Sequence, residues 1–376
     1  MTHVPIDNKN TDIEVLRAYA IAITVIAHLN ILIPQWYGVT AYFWLGGGVD
    51  LFFCISGFLI AGTLMRSSQS IGFVRYASSF LVKRAFRLWP AAILWATVTL
   101  FISESFDVAR TFGPQDLVLQ SWIYGILNIE NIHIWMIGNA EHPTPIWHYW
   151  SLSLEEQFYL LLPATLYFVK DKRFLIAPIL AFALYQTLTI RPWGTIWWFT
   201  RSDALLYGVT IAILWQYYPD QIRNFFIGRR KSSLTILMVI LLPLPVLLSK
   251  TSWSPYYMGL VSISATSLIL LASANLSLLG RQGKLHAAAM YIGSRSYSIY
   301  LIHNPVFAIT RELILQLEIS ELQSKGSTLM ALIAAMTATI VISEFSYRLI
   351  ETPLRIYGAR LSIERLKRAP VVPLQP

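Results

Sequence analysis

The chain has 376 residues, of which 55% are hydrophobic, 14% aromatic and only 13% charged, with a formal net charge of +9. A soluble domain carries about 25% charged residues, so this composition excludes an ordinary water-soluble globule and indicates an all-α polytopic membrane protein. The basic excess would suggest nucleic acid in a soluble protein; here its distribution orients the chain in a bilayer, and no nucleic-acid partner is expected.

A window of about 19 residues predicts ten membrane helices, near 13–33, 42–65, 89–103, 147–169, 174–190, 196–217, 234–249, 254–273, 288–310 and 327–348. The first carries Arg17 and His28. Eleven residues are about three turns, so both lie on one stripe roughly 16 Å apart. Asp7, Asp12 and Glu14 come before this run and no small-x-small site follows it, so no cleaved signal peptide is expected. In the second helix Gly46, Gly47 and Gly48 precede Asp50, and either loosen the helix start or permit close helix contact. Cys54, the single cysteine, lies in the same apolar run and can form no intramolecular disulfide.

Residues 73–88 read as a basic helix at the interface, ahead of a short third span. Lys83, Arg84 and Arg87 lie on adjacent turns, and Arg84 and Arg87 share a face. Two guanidinium forks suit a polyphosphate; ordinary anchoring to anionic lipid is the plainer reading. The segment 104–146 mixes Glu130, His133, Glu141 and His142 with Trp122, Tyr124 and Trp135, as expected of a sugar surface or of a partly ordered lid. Glu155 and Glu156 follow in the fourth helix, Arg201 and Asp203 in the sixth, and His303 with Pro305 in the ninth.

With both termini in the cytoplasm, 21 of the 29 Lys and Arg fall inside, and only Arg110, Arg191, Lys250, Arg311 and Lys325 fall outside. Arg17, Arg201 and Arg295 remain within the spans. This bias predicts cytoplasmic termini and a basic cytoplasmic tail over 349–376. No repeat or linker interrupts the chain, so 1–376 reads as one membrane-embedded domain. His28, Asp50, Glu155, Glu156, Arg201, Asp203 and His303 then occupy one layer between the midplane and the outer interface. Ionisable residues at that depth usually line a functional cavity, although each alone would pass as a structural hydrogen-bonding group between helices. A neutral histidine beside a carboxylate can take a proton from a hydroxyl. His28 is therefore the expected general base and Asp50 the group expected to orient it. The scattered histidines offer no metal-binding pattern.

Seven stretches, in order, resemble the acyltransferase-3 family of bacterial inner-membrane O-acyltransferases. "DIEVLRAYAIAITVIAH" is similar to the family's Arg-x10-His signature through Arg17 and His28, and "GGGVDLFFCISGFLI" to its second motif through Asp50, Phe53, Ser56 and Gly57. "KRAFRLWP" matches an Arg-x-x-Arg element, and "WSLSLEEQFYLLLP" a Trp-Ser-Leu-x-x-Glu motif carrying Glu155 and Tyr159. "RSDALLYG", "YSIYLIHNP", which begins at Tyr297, and "SYRLIETP" match later blocks. The resemblance implies a cytoplasmic acyl-CoA donor, most simply acetyl-CoA, held near Lys83, Arg84 and Arg87. It also implies a carbohydrate acceptor such as lipopolysaccharide O-antigen or exopolysaccharide, a catalytic set of His28, Asp50, Glu155 and Arg17, and a pocket including Ser56, Tyr159, Arg201, Asp203, Tyr297 and His303. No permanently held cofactor is implied. Larger members add an extracytoplasmic hydrolase-like domain; nothing in this chain resembles it, so the stand-alone kind is expected. A flippase or exporter of a lipid-linked glycan, a scaffold without chemistry and an acyltransferase acting on a macrolide are the competing readings. The transporter would show an inverted repeat, and the two halves of the chain share no self-similarity.

Overall fold

The computed structural model describes residues 10–43, 45–67, 71–138, 144–249, 254–317 and 325–367. Among these all regular structure is helical and there is no strand. It forms two compact units, one from residues 1–62 and 172–300, the other from 63–171 and 301–376.

The first unit opens on the helix Thr11–Ala27, capped by Asn10, whose side chain accepts the Ile13 N–H at 3.2 Å. Asp12 is fully buried and accepts the backbone N–H groups of Leu278 and Leu279, both at 2.9 Å, which ties the helix start to the turn before the helix Lys284–Ser294. The helix stops at Ala27, and His28 begins a 3₁₀ turn, His28–Ile31. The expected span through residue 33 therefore breaks at its ionisable residue. The expected span 196–217 likewise divides into Ile196–Phe199 and Asp203–Tyr217 around Arg201, and 288–310 divides at Arg295 between Lys284–Ser294 and Ser296–Gln316.

Close packing in this unit depends on glycine. Gly48 sits where a Cβ would strike the Thr24 hydroxyl and the Ala20 carbonyl, so the helix Gly47–Arg66 lies directly on Thr11–Ala27. A Cβ on Gly57 would strike the Leu205 carbonyl, and one on Gly208 the Cys54 carbonyl. Gly47–Arg66 and Asp203–Tyr217 thus meet backbone to backbone. That contact presents Asp50 and Asp203, each in the first turn of its helix, to one another's neighbourhood.

In the second unit one helix, Phe73–Phe106, replaces the expected interface helix and short span, and it runs straight through Pro90. Proline removes one backbone hydrogen bond from a helix, but here the chain 346–362 packs antiparallel along the helix. Trp95 donates to Ser346 at 3.0 Å, Phe86 meets Tyr357 at 5.3 Å between ring centroids, and Ser362 donates to the Ser79 carbonyl at 3.0 Å. The segment expected as a basic tail is accordingly helical from Thr352 to Lys367, entered through a π-type turn at Tyr347–Glu351.

Within 104–146 the helices Gln115–Ile126 and Glu130–Ile137 are packed structure: Trp122 donates to Thr97 at 3.0 Å, and the Glu130 N–H donates to Ser153 at 3.1 Å. Glu141 and His142 lie outside the described residues. Among the described residues three helices, Gly47–Arg66, Phe73–Phe106 and Thr328–Ile363, are long and apolar enough to cross a bilayer. A fourth arises if Pro219–Ile227 and Lys231–Leu247, bent by 98°, count as one span.

Candidate active site

His28 sits where the first helix ends. Its Nδ1 lies 2.9 Å from the Thr24 carbonyl. A carbonyl only accepts, so Nδ1 carries the proton, and in the neutral ring Nε2 keeps a lone pair. Backbone geometry therefore sets the tautomer that a base requires. Asp50 does not take the orienting role expected of it: its carboxylate meets Arg201, at 3.3 Å, while the His28 ring is held by its own helix.

Arg17 donates to Glu14 at 3.2 Å and to Ser296 at 3.0 Å, joining the first helix to the start of the helix that carries Tyr297. Tyr297 itself is half-buried, as is Ser56, six residues beyond Asp50.

Around Asp50 the first unit holds four buried charges. Arg201 donates to Asp50, donates to the Trp198 carbonyl at 3.0 Å and lies 4.3 Å from the centre of the Trp198 ring. Arg191 grips Asp203 with two nitrogens, at 3.0 and 2.8 Å. Arg191 is only 2% exposed, so it is not the outer-loop charge the sequence suggested. Its position just before Pro192 resembles a span end; the one signal of a buried role is Asp203, twelve residues on. Two cations and two anions balance, as a desolvated cluster requires.

The second unit gathers a different set. Arg84 lies over the rings of Phe80 and Tyr159, at 5.7 and 5.4 Å, rather than extending into solvent beside the exposed Lys83. Arg87 is half-buried on the same helix. Tyr159 donates to Glu155 one turn earlier, and Glu156 accepts from the Trp89 indole at 3.1 Å. The adjacent glutamates are thus held by different partners.

His303, fully buried, faces the edge of His148 at 5.4 Å between ring centroids, and His148 Nδ1 lies 3.1 Å from the Asn304 amide nitrogen. His148, Asn304, Trp89 and Trp198 were not singled out from the sequence. Trp89 and Asn304 lie within quoted motifs and His148 and Trp198 shortly before one, but nothing in their spacing marks them. Nearby, His133 stacks on Tyr124 at 4.4 Å and joins Glu130, at 3.0 Å, to Gln120, at 3.2 Å. Burial pushes the Glu130 carboxyl up to about 7.

Comparison with known proteins adds an independent observation. A family model described as an acyltransferase domain matches residues 10–347. The chain is 27% identical over 380 residues to the peptidoglycan O-acetyltransferase OatA of Listeria monocytogenes, covering 92% of this chain and 56% of that protein. It is 28% identical over 374 residues to the O-acetyltransferase OatA of Staphylococcus aureus strain NCTC 8325, covering 91% and 57% respectively. The chain therefore spans little more than half the length of these relatives. No solved structure matches it.

Proposed function

This chain belongs to the acyltransferase-3 family, and we propose that it is a membrane-bound O-acyltransferase that moves an acyl group, most simply acetyl, from cytoplasmic acyl-CoA to a hydroxyl of a surface carbohydrate. The observation that carries this reading is the locked tautomer of His28, whose Nδ1–H donates to the Thr24 carbonyl at a helix end and so leaves the lone pair on Nε2. Nε2 takes the proton of the acceptor hydroxyl as the oxygen attacks the thioester carbonyl. The carbon–sulfur bond breaks, and the proton returns from His28 to the CoA thiolate. One ester and one thiol replace one alcohol and one thioester.

In the first unit Asp50 and Arg17 support this chemistry, with Ser56, Arg201 and Tyr297 as pocket residues and Asp203, held by Arg191, behind them; in the second unit Glu155 is the catalytic candidate, with Tyr159 and His303 as pocket residues. Arg84, Arg87 and Lys83 hold the phosphates of CoA at the cytoplasmic end of their helix. Ten spans with both termini in the cytoplasm of a bacterial inner membrane fit the distribution of Lys and Arg. The acceptor class is lipopolysaccharide O-antigen, exopolysaccharide or another cell-surface glycan. The Listeria relative, named for peptidoglycan, extends that class to the cell wall.

Mass spectrometry of surface glycans from cells carrying the wild-type protein or His28→Ala provides the test. We expect an added acetyl mass that His28→Ala removes at equal protein level; equal acylation by the two would overturn the mechanism.

A further inference from the structure

Four buried charges lie within electrostatic reach of one another in the first unit: Asp50 feels Arg201, Asp203 and Arg191, and Arg201 feels Asp50, Arg191 and Asp203. Their hydrogen bonds are unequal. Asp203 is saturated, accepting both prongs of Arg191 at 3.0 and 2.8 Å and the Thr187 hydroxyl at 3.4 Å. Asp50 accepts only from Arg201 Nε, at 3.3 Å, and its Oδ2 has no hydrogen-bond partner among the described residues although Asp50 is 1% exposed. Arg201 lies two residues before Asp203 in sequence, bonds to Asp50 across the packed helices, and interacts electrostatically with both carboxylates.

We propose that Arg191 is a positioning residue for Asp50, acting through Asp203 and Arg201; this rests on the reading of Asp50 as part of the acyl-transfer site. A buried carboxylate stripped of its partner recruits the nearest cation, because an uncompensated charge in a desolvated site is costly. With Arg191 in place Asp203 makes no demand on Arg201, and Arg201 stays on Asp50. Without Arg191, Arg201 turns to Asp203, and Asp50 loses the cation that holds its carboxylate in place. The bidentate fork matters, since a single-pronged cation leaves one Asp203 oxygen to compete for Arg201. Arg191 touches no reacting atom in this scheme; its effect reaches the chemistry only along the chain of ion pairs.

Acetyl transfer from acetyl-CoA is to be measured on the full-length protein in native membranes for Arg191→Gln, Arg191→Lys and the double variant Arg191→Gln with Asp203→Asn. We expect Arg191→Gln to lower kcat by about 100-fold, the scale of a misplaced acid–base group, with donor KM unchanged. The double variant should recover most of that loss, because a neutral amide in place of the Asp203 carboxylate no longer competes for Arg201. A role confined to stability also predicts recovery in the double variant, but it lowers the amount of folded protein and the melting temperature of Arg191→Gln while leaving kcat per folded enzyme at the wild-type value. Unchanged kcat in Arg191→Gln, or no recovery in the double variant, overturns the proposal.

Should Arg191→Gln fail to insert, Arg191→Lys takes its place; a fall in kcat without a change in donor KM is expected, and wild-type kcat overturns the proposal. An arm independent of activity compares the melting temperatures of Arg191→Gln, Asp50→Asn and their combination. The linkage requires non-additive shifts, and additive shifts sink it. A well-folded wild-type protein that transferred no acetyl group would end the acyl-transfer reading, while the melting comparison would still decide whether Arg191 and Asp50 are coupled.

Discussion

A histidine works as a base through the ring nitrogen that carries a lone pair, and in this chain the Thr24 carbonyl, by accepting the Nδ1 proton, puts that lone pair on Nε2. Replacing His28 with Gln keeps a polar side chain at the helix end but removes the titrating lone pair. Transfer should fall by about 10²–10⁴-fold while the melting temperature stays near wild type; residual activity close to wild type would assign the base elsewhere. Glu130 follows a different logic. Burial lifts its carboxyl from 4.5 to about 7, so the folded protein favours the protonated acid. That contribution to stability is complete below about 4.5 and is lost as pH rises through about 7. Wild-type protein should therefore become less stable between pH 5 and 8, by on the order of 3 kcal/mol. Glu130→Gln, whose amide can donate to His133 as the protonated acid does, should flatten that slope in thermal melts. An unchanged slope would show that the acid ionises without penalty.

Elements in this molecule are placed by glycine contacts and broken by buried charge. Gly57 and Gly208 let Gly47–Arg66 and Asp203–Tyr217 touch through their backbones. Alanine at either position gains up to about 1 kcal/mol of helix propensity, but its Cβ collides with a carbonyl that belongs to the opposite helix. Overpacking of this kind costs about 1–3 kcal/mol, so Gly57→Ala should melt lower than wild type, and Gly57→Val lower still. A melting temperature unchanged in both would mean that the helices separate freely. The helical, apolar character of the chain and the family to which its motifs belong were legible in the sequence, because each depends on local periodicity or on adjacent residues. The break of the sixth run around Arg201 was not. Hydropathy averages over an arginine, whereas the fold satisfies it with Asp50, 151 residues away. The division between 73–88 and 89–103 failed in the other direction, since the basic and apolar stretches differ in composition while Phe73–Phe106 is one helix packed against the antiparallel 346–362 chain. Arg191 looked like a loop charge for the same reason: its partner Asp203 is a tertiary neighbour as well as a sequence one.

At the scale of the whole molecule, the helices Phe73–Phe106 and Thr328–Ile363 have 34 and 36 residues. At 1.5 Å per residue each is just over 50 Å long, against a hydrocarbon core of about 30 Å. Each must tilt or project into the interface, and the proposed sidedness takes the basic turns around Lys83, Arg84 and Arg87, early in Phe73–Phe106, to the anionic, cytoplasmic side. The donor reading depends on that sidedness, because acyl-CoA is available only there. Val74 and Val108 flank the helix and are 77% and 79% exposed, so cysteines there can react without disturbing the core; Ser121, though polar and in the same outer segment as Val108, is fully buried and would report nothing. In a Cys54→Ser background, Val108→Cys should label with an impermeant thiol reagent added to intact cells, and Val74→Cys only after the membrane is opened. The reverse pattern would put Arg84 and Arg87 outside. The pair could then no longer grip a cytoplasmic nucleotide, and the donor would have to enter the protein by another face.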